Sequence, residues 1–212
     1  MSITLRHLLC SGFMLLLSAC SLLPESRTVD IYTLPANHTE INTTPDTPQL
    51  DWSVRVVTPY ANQTLDSNRI AVIPEANQIS TYKDARWSDR VPVLLRERLI
   101  DALRSDGRIK TVISDNTLLA ADAELLSDLS AFQSEYHNGV PEIYVRLDVQ
   151  LIQQKTQKVL ASRRFEIRSA SQSTDIKSVI RTFGSVCDRL TQELTTWTVS
   201  ILQLQPRGDN HD

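Results

Sequence analysis

The clearest periodicity in the chain lies in EIYVRLDVQLI, residues 142–152. Ile143, Val145, Leu147, Val149 and Leu151 alternate there with Tyr144, Arg146, Asp148 and Gln150. A period of two with one apolar and one polar side marks a half-buried antiparallel strand. The polar QKTQK that follows reads as a turn, and VLASRRFEIRS, residues 159–169, as the returning strand of a hairpin. From about residue 174 to 204 the period changes. Ile176, Val179, Ile180, Phe183, Cys187, Leu190, Leu194, Trp197 and Ile201 recur every three or four positions, which predicts a helix with one apolar stripe. At 1.5 Å per residue, roughly 27 residues reach about 40 Å, enough to lie across a whole sheet.

Upstream, WSVRVVTP (52–59), RIAVIP (69–74), QISTYK (78–83) and RIKTVIS (108–114) are short β-rich runs, two of them closed by proline. Between the last two lies SDRVPVLLRERLIDALRSDG, with Val91, Leu94, Leu95, Leu99, Ala102 and Leu103 on one helical face. Ser88 is the expected N-cap, with Asp89 in the first turn and Gly107 as the stop. Residues 118–136, LLAADAELLSDLSAFQSEY, show no clean period, and their Ala, Leu and Glu content favours helix. The elements predict an α/β (α+β) domain over residues 51–204. Its expected architecture is a mixed, largely antiparallel sheet with two main helices, the C-terminal one long.

The flanks differ. Residues 20–50 hold four of the nine prolines and many Thr and Asn, the composition of a spacer. Within them VDIYTLP, residues 29–35, predicts an edge strand. Residues 205–212 form a polar tail. Residues 1–19 carry Arg6 and His7 ahead of an apolar run from Leu8 to Leu17, with small residues behind it. These are the parts of a secretory signal peptide, and the run is shorter than the roughly 20 residues that span a bilayer.

Charge and composition narrow the function. With 22 basic and 25 acidic residues the net charge is −3, so the basic footprint of a nucleic-acid binder is missing. Cys10 leaves with the signal, and Cys187 falls on the helical apolar stripe, where a small buried hydrophobe is expected. Neither C-x-x-C nor H-E-x-x-H occurs, FGSVC at 183–187 is not a nucleophile elbow, and no Gly-rich phosphate loop is present. His38, His137 and His211 are scattered. The expectation is no catalytic residue, no metal and no cofactor apart from covalent lipid. Tyr82, Arg86 and Trp87 are residue types enriched at interface hot spots and form the candidate partner surface. Trp87 is also placed to act as a hydrophobic staple at the helix entrance.

The run Leu17-Ser18-Ala19-Cys20 resembles a bacterial lipobox. The resemblance implies a diacylglyceryl group on the Cys20 thiol, cleavage between Ala19 and Cys20, and an N-acyl chain on the new amino group. Several acyl chains on one residue hold stably, since each buried CH₂ contributes about 0.8 kcal/mol. Ser21 is not the aspartate that retains many such proteins at the inner membrane, so the resemblance implies the outer membrane.

Several further stretches resemble the ABC-type transport auxiliary lipoproteins of the PqiC-like group. They are DIYTLP, NRIAVIP, TYKDARWSDRVPVLLRERLIDAL, DGRIKTVI, LAADAELLSDLSAFQ and LASRRF, ahead of a final helix ending in WT. The resemblance implies a strand over Ala123 to Glu135, against propensity. It also implies a non-enzymatic lipoprotein working with an MCE-domain protein and an ABC permease and ATPase to move lipid across the periplasm, in some members as a homo-oligomeric ring. The alternatives are a lipid-carrying lipoprotein and a scaffold for outer-membrane assembly or export. Replacing the anchor residue, Cys20→Ala, is expected to abolish incorporation of labelled palmitate and to shift the chain from the membrane to the soluble fraction. Label retained by the variant would remove Cys20 as the anchor.

Overall fold

The computed structural model describes residues 28–36 and 48–205. The signal segment with Ala19 and Cys20, most of the spacer, and residues 206–212 lie outside the described residues. The elements run β1 (Asp30–Tyr32), β2 (Leu50–Val56), β3 (Tyr60–Ala61), β4 (Arg69–Glu75), β5 (Gln78–Trp87), α1 (Val91–Asp106), β6 (Ile109–Ser114), β7 (Ala123–His137), β8 (Val140–Gln153), β9 (Lys158–Ala170) and α2 (Ile176–Leu204).

β7 is the spine of the sheet. β8 pairs with it antiparallel along its whole length, and β9 continues the ladder on β8. Along its other edge β2, β3 and β4 follow one another end to end, each parallel to β7. β6 flanks β2 in parallel, β5 flanks β4 antiparallel, and β1 pairs parallel with β5 at the outer edge. Most paired residues therefore sit in antiparallel ladders, because the β7–β8–β9 hairpins are long, while the short strands join in parallel. The β7–β8 turn places Asn138 and Gly139 at φ 52° and 80°, the left-handed pair that a two-residue hairpin requires.

The strand over Ala123–His137 confirms the expectation drawn from the resemblance and overrides the helix propensity of the same residues. Its ladder shifts register between Leu129 and Ala131. A bulge there turns the alternation over: Ala123, Leu125 and Leu129 face the core before it, and Phe132 and Ser134 after it. No single period can fit such a strand.

Both helices cover one face. α2 lies over β8 and β9, α1 lies over β6 and β2, and the two helices touch. The 29 residues of α2 and the 13 residues of β9 each span about 43 Å, so the helix backs the full length of its strand. All five apolar residues read from the β8 alternation are buried. α2 is capped by Asp175, whose side chain accepts from the Ser178 N–H. α1 begins later than expected. Its N-cap is Arg90, not Ser88, and Asp89 precedes the helix. The Val91 N–H donates to the Ser67 carbonyl, and Pro92 in the first turn has no N–H, so a side-chain cap is not needed. Gly107 stops the helix at φ 72°, as read.

The predicted edge strand over 29–35 is β1, and the chain beyond it enters the core. Leu34 is buried in the main hydrophobic cluster. Pro35 crosses α2 at Gly184, where an added Cβ would lie 2.9 Å from the Pro35 carbonyl oxygen. The glycine of FGSVC is thus a notch that admits the N-terminal strap. Alanine in a helix interior is usually about 1 kcal/mol better than glycine. Gly184→Ala is expected to reverse that sign and lower stability by on the order of 1 kcal/mol in a urea titration, because backbone must move. A stabilised variant would show that the strap does not depend on the notch.

Candidate functional site

The three residues proposed for a partner surface do not share one. Trp87 ends β5 and is 1% exposed. Its ring meets Phe183 edge-on at 5.3 Å and Phe132 at 6.1 Å, and those two phenylalanines stack at 4.9 Å. The indole therefore clamps β5 to β7 and α2, where each aromatic pair contributes roughly 0.5–1.5 kcal/mol beyond its buried area. At that burial it offers no surface to a partner, and it shares the hydrophobic cluster with Val91 of α1. Tyr82 is half-buried, and its hydroxyl donates to Ser134 Oγ at 3.1 Å. Burial pushes the Tyr82 phenol well above its ordinary range, so it stays a neutral donor. Arg86 turns back on its own strand and donates to the carbonyls of Tyr82 and Ala85.

Beside this cluster lies the strap that joins the N-terminal segment to the domain. β1 holds β5 in parallel register from Asp30 to Tyr32, and the Ser88 N–H continues the ladder to the Tyr32 carbonyl at 2.8 Å. Leu34 and Pro35 then lock onto α2. Whatever pulls on residue 28 pulls on the core. The long spacer read over residues 20–50 is thus interrupted, and the chain between Cys20 and the sheet is short.

The helix-free face of β7, β8 and β9 carries a cross-strand network of charges. The Arg168 guanidinium sits 3.5 Å over the Tyr144 ring and donates to Glu135 and Glu142 at 2.8 and 3.1 Å. Arg164 donates to Asp148 at 2.7 Å, and the Tyr144 hydroxyl donates to Glu166 at 2.9 Å. Burial alone would raise Glu135, but hydrogen bonds from Arg168 and Gln133 outweigh it and hold the carboxyl low. The Arg164 hydrogen bond does the same for Asp148. Carboxylates held ionised in this way are poor general acids.

A second feature escaped the sequence reading. The loop from Asp115 to Asp122 folds across β2 and is fastened at three points. Asp115 accepts from the Thr58 N–H and from Arg96, both at 2.8 Å. Arg55 donates to the Thr117 carbonyl at 2.6 Å and to the Leu119 carbonyl, and pairs with Glu124 at 3.1 Å. Asp122 accepts from the Ser53 N–H at 2.8 Å and its hydroxyl at 2.6 Å. Between these fastenings Leu118 is 103% and Leu119 63% exposed. Only the turn-forming Asp115-Asn116 pair hinted that the apolar run begins outside any regular element.

The remaining chemistry is sparse. Among the described residues no three His, Cys, Asp or Glu side chains gather as a metal site. None of the described helices is long and apolar enough to cross a membrane. A shallow groove between β9 and α2 is lined by Arg163, Gln192, Glu193, Thr196, Trp197 and Ser200. Cys187 is wholly buried, and burial pushes its thiol up to about 12. A chain beginning at Ser21 is expected to leave Cys187 unmodified by a thiol reagent at pH 8 until it unfolds; rapid labelling of the folded chain would contradict this burial. Once unfolded, the thiol loses its proton near its ordinary value of 9.0. Stability attributable to it is therefore complete below about pH 9 and falls as pH rises from there toward 12.

The comparisons with known proteins agree with this arrangement. Protein XCC0632 from Xanthomonas campestris is 29% identical and superposes with a TM-score of 0.75, over 82% of this chain and 97% of that one. Protein CT253 from Chlamydia trachomatis, at 10% identity, shares the fold with a TM-score of 0.52 over 74% of this chain and 100% of its own. Protein bll6063 of Bradyrhizobium diazoefficiens is 26% identical over 158 residues, which are 74% of this chain and 42% of the relative. The chain therefore spans less than half the length of that relative. The model of the ABC-type transport auxiliary lipoprotein component matches residues 32–195, from the strap to the last turns of α2, and the chain belongs to that family.

Proposed function

We propose that this protein is a non-enzymatic, lipid-anchored subunit of an ABC-type lipid transport system, held at the periplasmic face of the outer membrane through acylated Cys20. In this reading it docks an MCE-domain protein that works with an ABC permease and ATPase. Several copies assemble as a ring around the path of the lipid. The family assignment supports the transport role. The observation that carries the mechanical part is the strap: β1, Leu34 and the Pro35–Gly184 contact tie the segment nearest Cys20 into the hydrophobic core. A load between anchor and domain is borne by packed structure. The paired charges on the helix-free sheet face offer a rigid surface whose carboxylates need no proton to change hands.

Full-length protein solubilised in mild detergent is expected to co-purify an MCE-domain protein or the permease. Cys20→Ala is expected to recover at least about tenfold less, because the anchor holds the chain at the membrane where the transport assembly ends and raises its effective concentration there. Mass spectrometry of the two samples makes the comparison. Absence of MCE and permease peptides from both samples would overturn the transport reading and favour a protein that carries lipid on its own.

A further inference from the structure

The outer edge of β9 is the long open edge of this sheet. Its 13 residues pair with β8 on one side, and among the described residues no strand pairs with the other. At the far edges β1 and β6 have three and six residues, and β5 is interrupted by Asp84 at φ 54°. β9 contains neither proline nor glycine, and its ladder to β8 is regular from Ala161 to Ala170. Edges are commonly guarded by charges that lean over them. Here the arginines turn inward: Arg164 to Asp148, Arg168 to Glu135 and Glu142, and Arg163 over the Phe165 ring toward Glu193. The row of backbone N–H and C=O groups is left clear for another strand.

The charge pattern says which strand. An antiparallel neighbour sets residues of one face opposite each other, and opposed like charges are destabilising. For a second β9, a two-fold axis at Arg163, Arg164, Glu166 or Arg168 opposes like charges. An axis at Phe165 pairs residues 160–170, the longest run free of that conflict. It sets Arg164 of each copy against Glu166 of the other, so four charges alternate in sign around a square. Arg163 then meets Ile167 of the second copy, and Arg168 meets Ser162.

The helices fit the same axis. α2 lies over β8 and β9, so its axis stands about 2.4 Å inside β9, half the strand spacing. One further strand step of about 4.8 Å, from β9 to its copy, sets the two α2 helices roughly 10 Å apart, the distance of packed helices. The Trp197 ring meets Phe165 at 5.7 Å, which puts neighbouring Thr196 at the level of the axis. Gln192, Thr196 and Ser200 are exposed, uncharged and about one turn apart, and they line the groove between α2 and β9. Packing about Thr196 sets Gln192 against Ser200 of the second copy.

We infer that the edge of β9 is covered by a second copy of this chain, paired antiparallel about Phe165 while the two α2 helices pack about Thr196. The pairing does not rest on the transport reading. A two-fold contact cannot close a ring, so in a ring of copies it joins pairs and other surfaces complete the circle.

The test uses full-length, lipid-bearing Thr196→Cys in its own membranes with a short thiol-to-thiol cross-linker. Cys20 carries lipid in the reading above and Cys187 is buried, so position 196 supplies the reactive thiol. A product of twice the chain mass, joined 196 to 196, is expected. Lys177→Cys, exposed on the same helix, is expected to give none, because the axis sets its two copies roughly 60 Å apart. In parallel, Thr196→Glu places like charges across the axis, and sedimentation in mild detergent is expected to show association weakened at least about tenfold. Absence of the 196 product, or equal products at 196 and 177, would overturn the pairing and leave the transport role standing. So would a 196 adduct with a different protein, which would give the edge to a foreign strand. Undiminished association of Thr196→Glu would overturn it as well.

Discussion

Trp87, Phe132 and Phe183 hold together three elements that are distant in the chain, and the rest of the structure is arranged around that contact. Phe132 comes from the spine strand just after its bulge, Phe183 from the long helix, and Trp87 from the end of β5. One residue along the helix from Phe183, Gly184 leaves the space that Pro35 fills. The aromatic cluster thus sets the height of α2 over the sheet, and the notch lets the N-terminal strap pass at that height. Without the bulge at Leu129–Ala131, Phe132 would point to the opposite face and the cluster would have no floor.

This construction separates two tasks. The helix-covered face is packed and apolar, and it fixes the N-terminal strap. The open face and the sheet ends are free to make contacts. Along β7, β8 and β9 the open face carries paired charges that fix side chains in place. At one end the Asp115–Asp122 loop is fastened by carboxylates and a guanidinium and presents apolar side chains to solvent. Polar groups here serve to hold geometry, with their proton affinities set by neighbours so that they stay charged. For Asp115, burial works against ionisation, and hydrogen bonds from Thr58 and Arg96 outweigh it.

Much of this was legible in the residues. The alternation of β8, the 3.6 period of α2, the helix face of α1 and the glycine stop at Gly107 each depend on local spacing, which sequence displays directly. The edge strand near residue 30 was visible as a β-rich run closed by a proline. The Asn138-Gly139 hairpin turn went unread, although Asn-Gly is a residue pair that accepts two successive left-handed conformations cheaply. Harder to see was where Tyr82, Arg86 and Trp87 would point. They look like an interface because large amphipathic side chains occur both at interfaces and in cores, and composition cannot tell a buried indole from an exposed one.

The sequence by itself determined the class of fold, the long helix and its buried cysteine, and a family membership carried by motifs along most of the domain. Tertiary structure alone decided three things. Ala123–His137 became a strand because pairing on both edges outweighs a helix propensity of a few tenths of a kcal/mol per residue. Trp87 became core because the bulge in β7 turned Phe132 toward it. Leu118 and Leu119 stayed in solvent because Ser53, Arg55, Thr58 and Arg96, far away in the chain, bind the backbone and carboxylates around them. Each of these outcomes rests on contacts between residues far apart in sequence, and no local pattern records which distant partner will arrive.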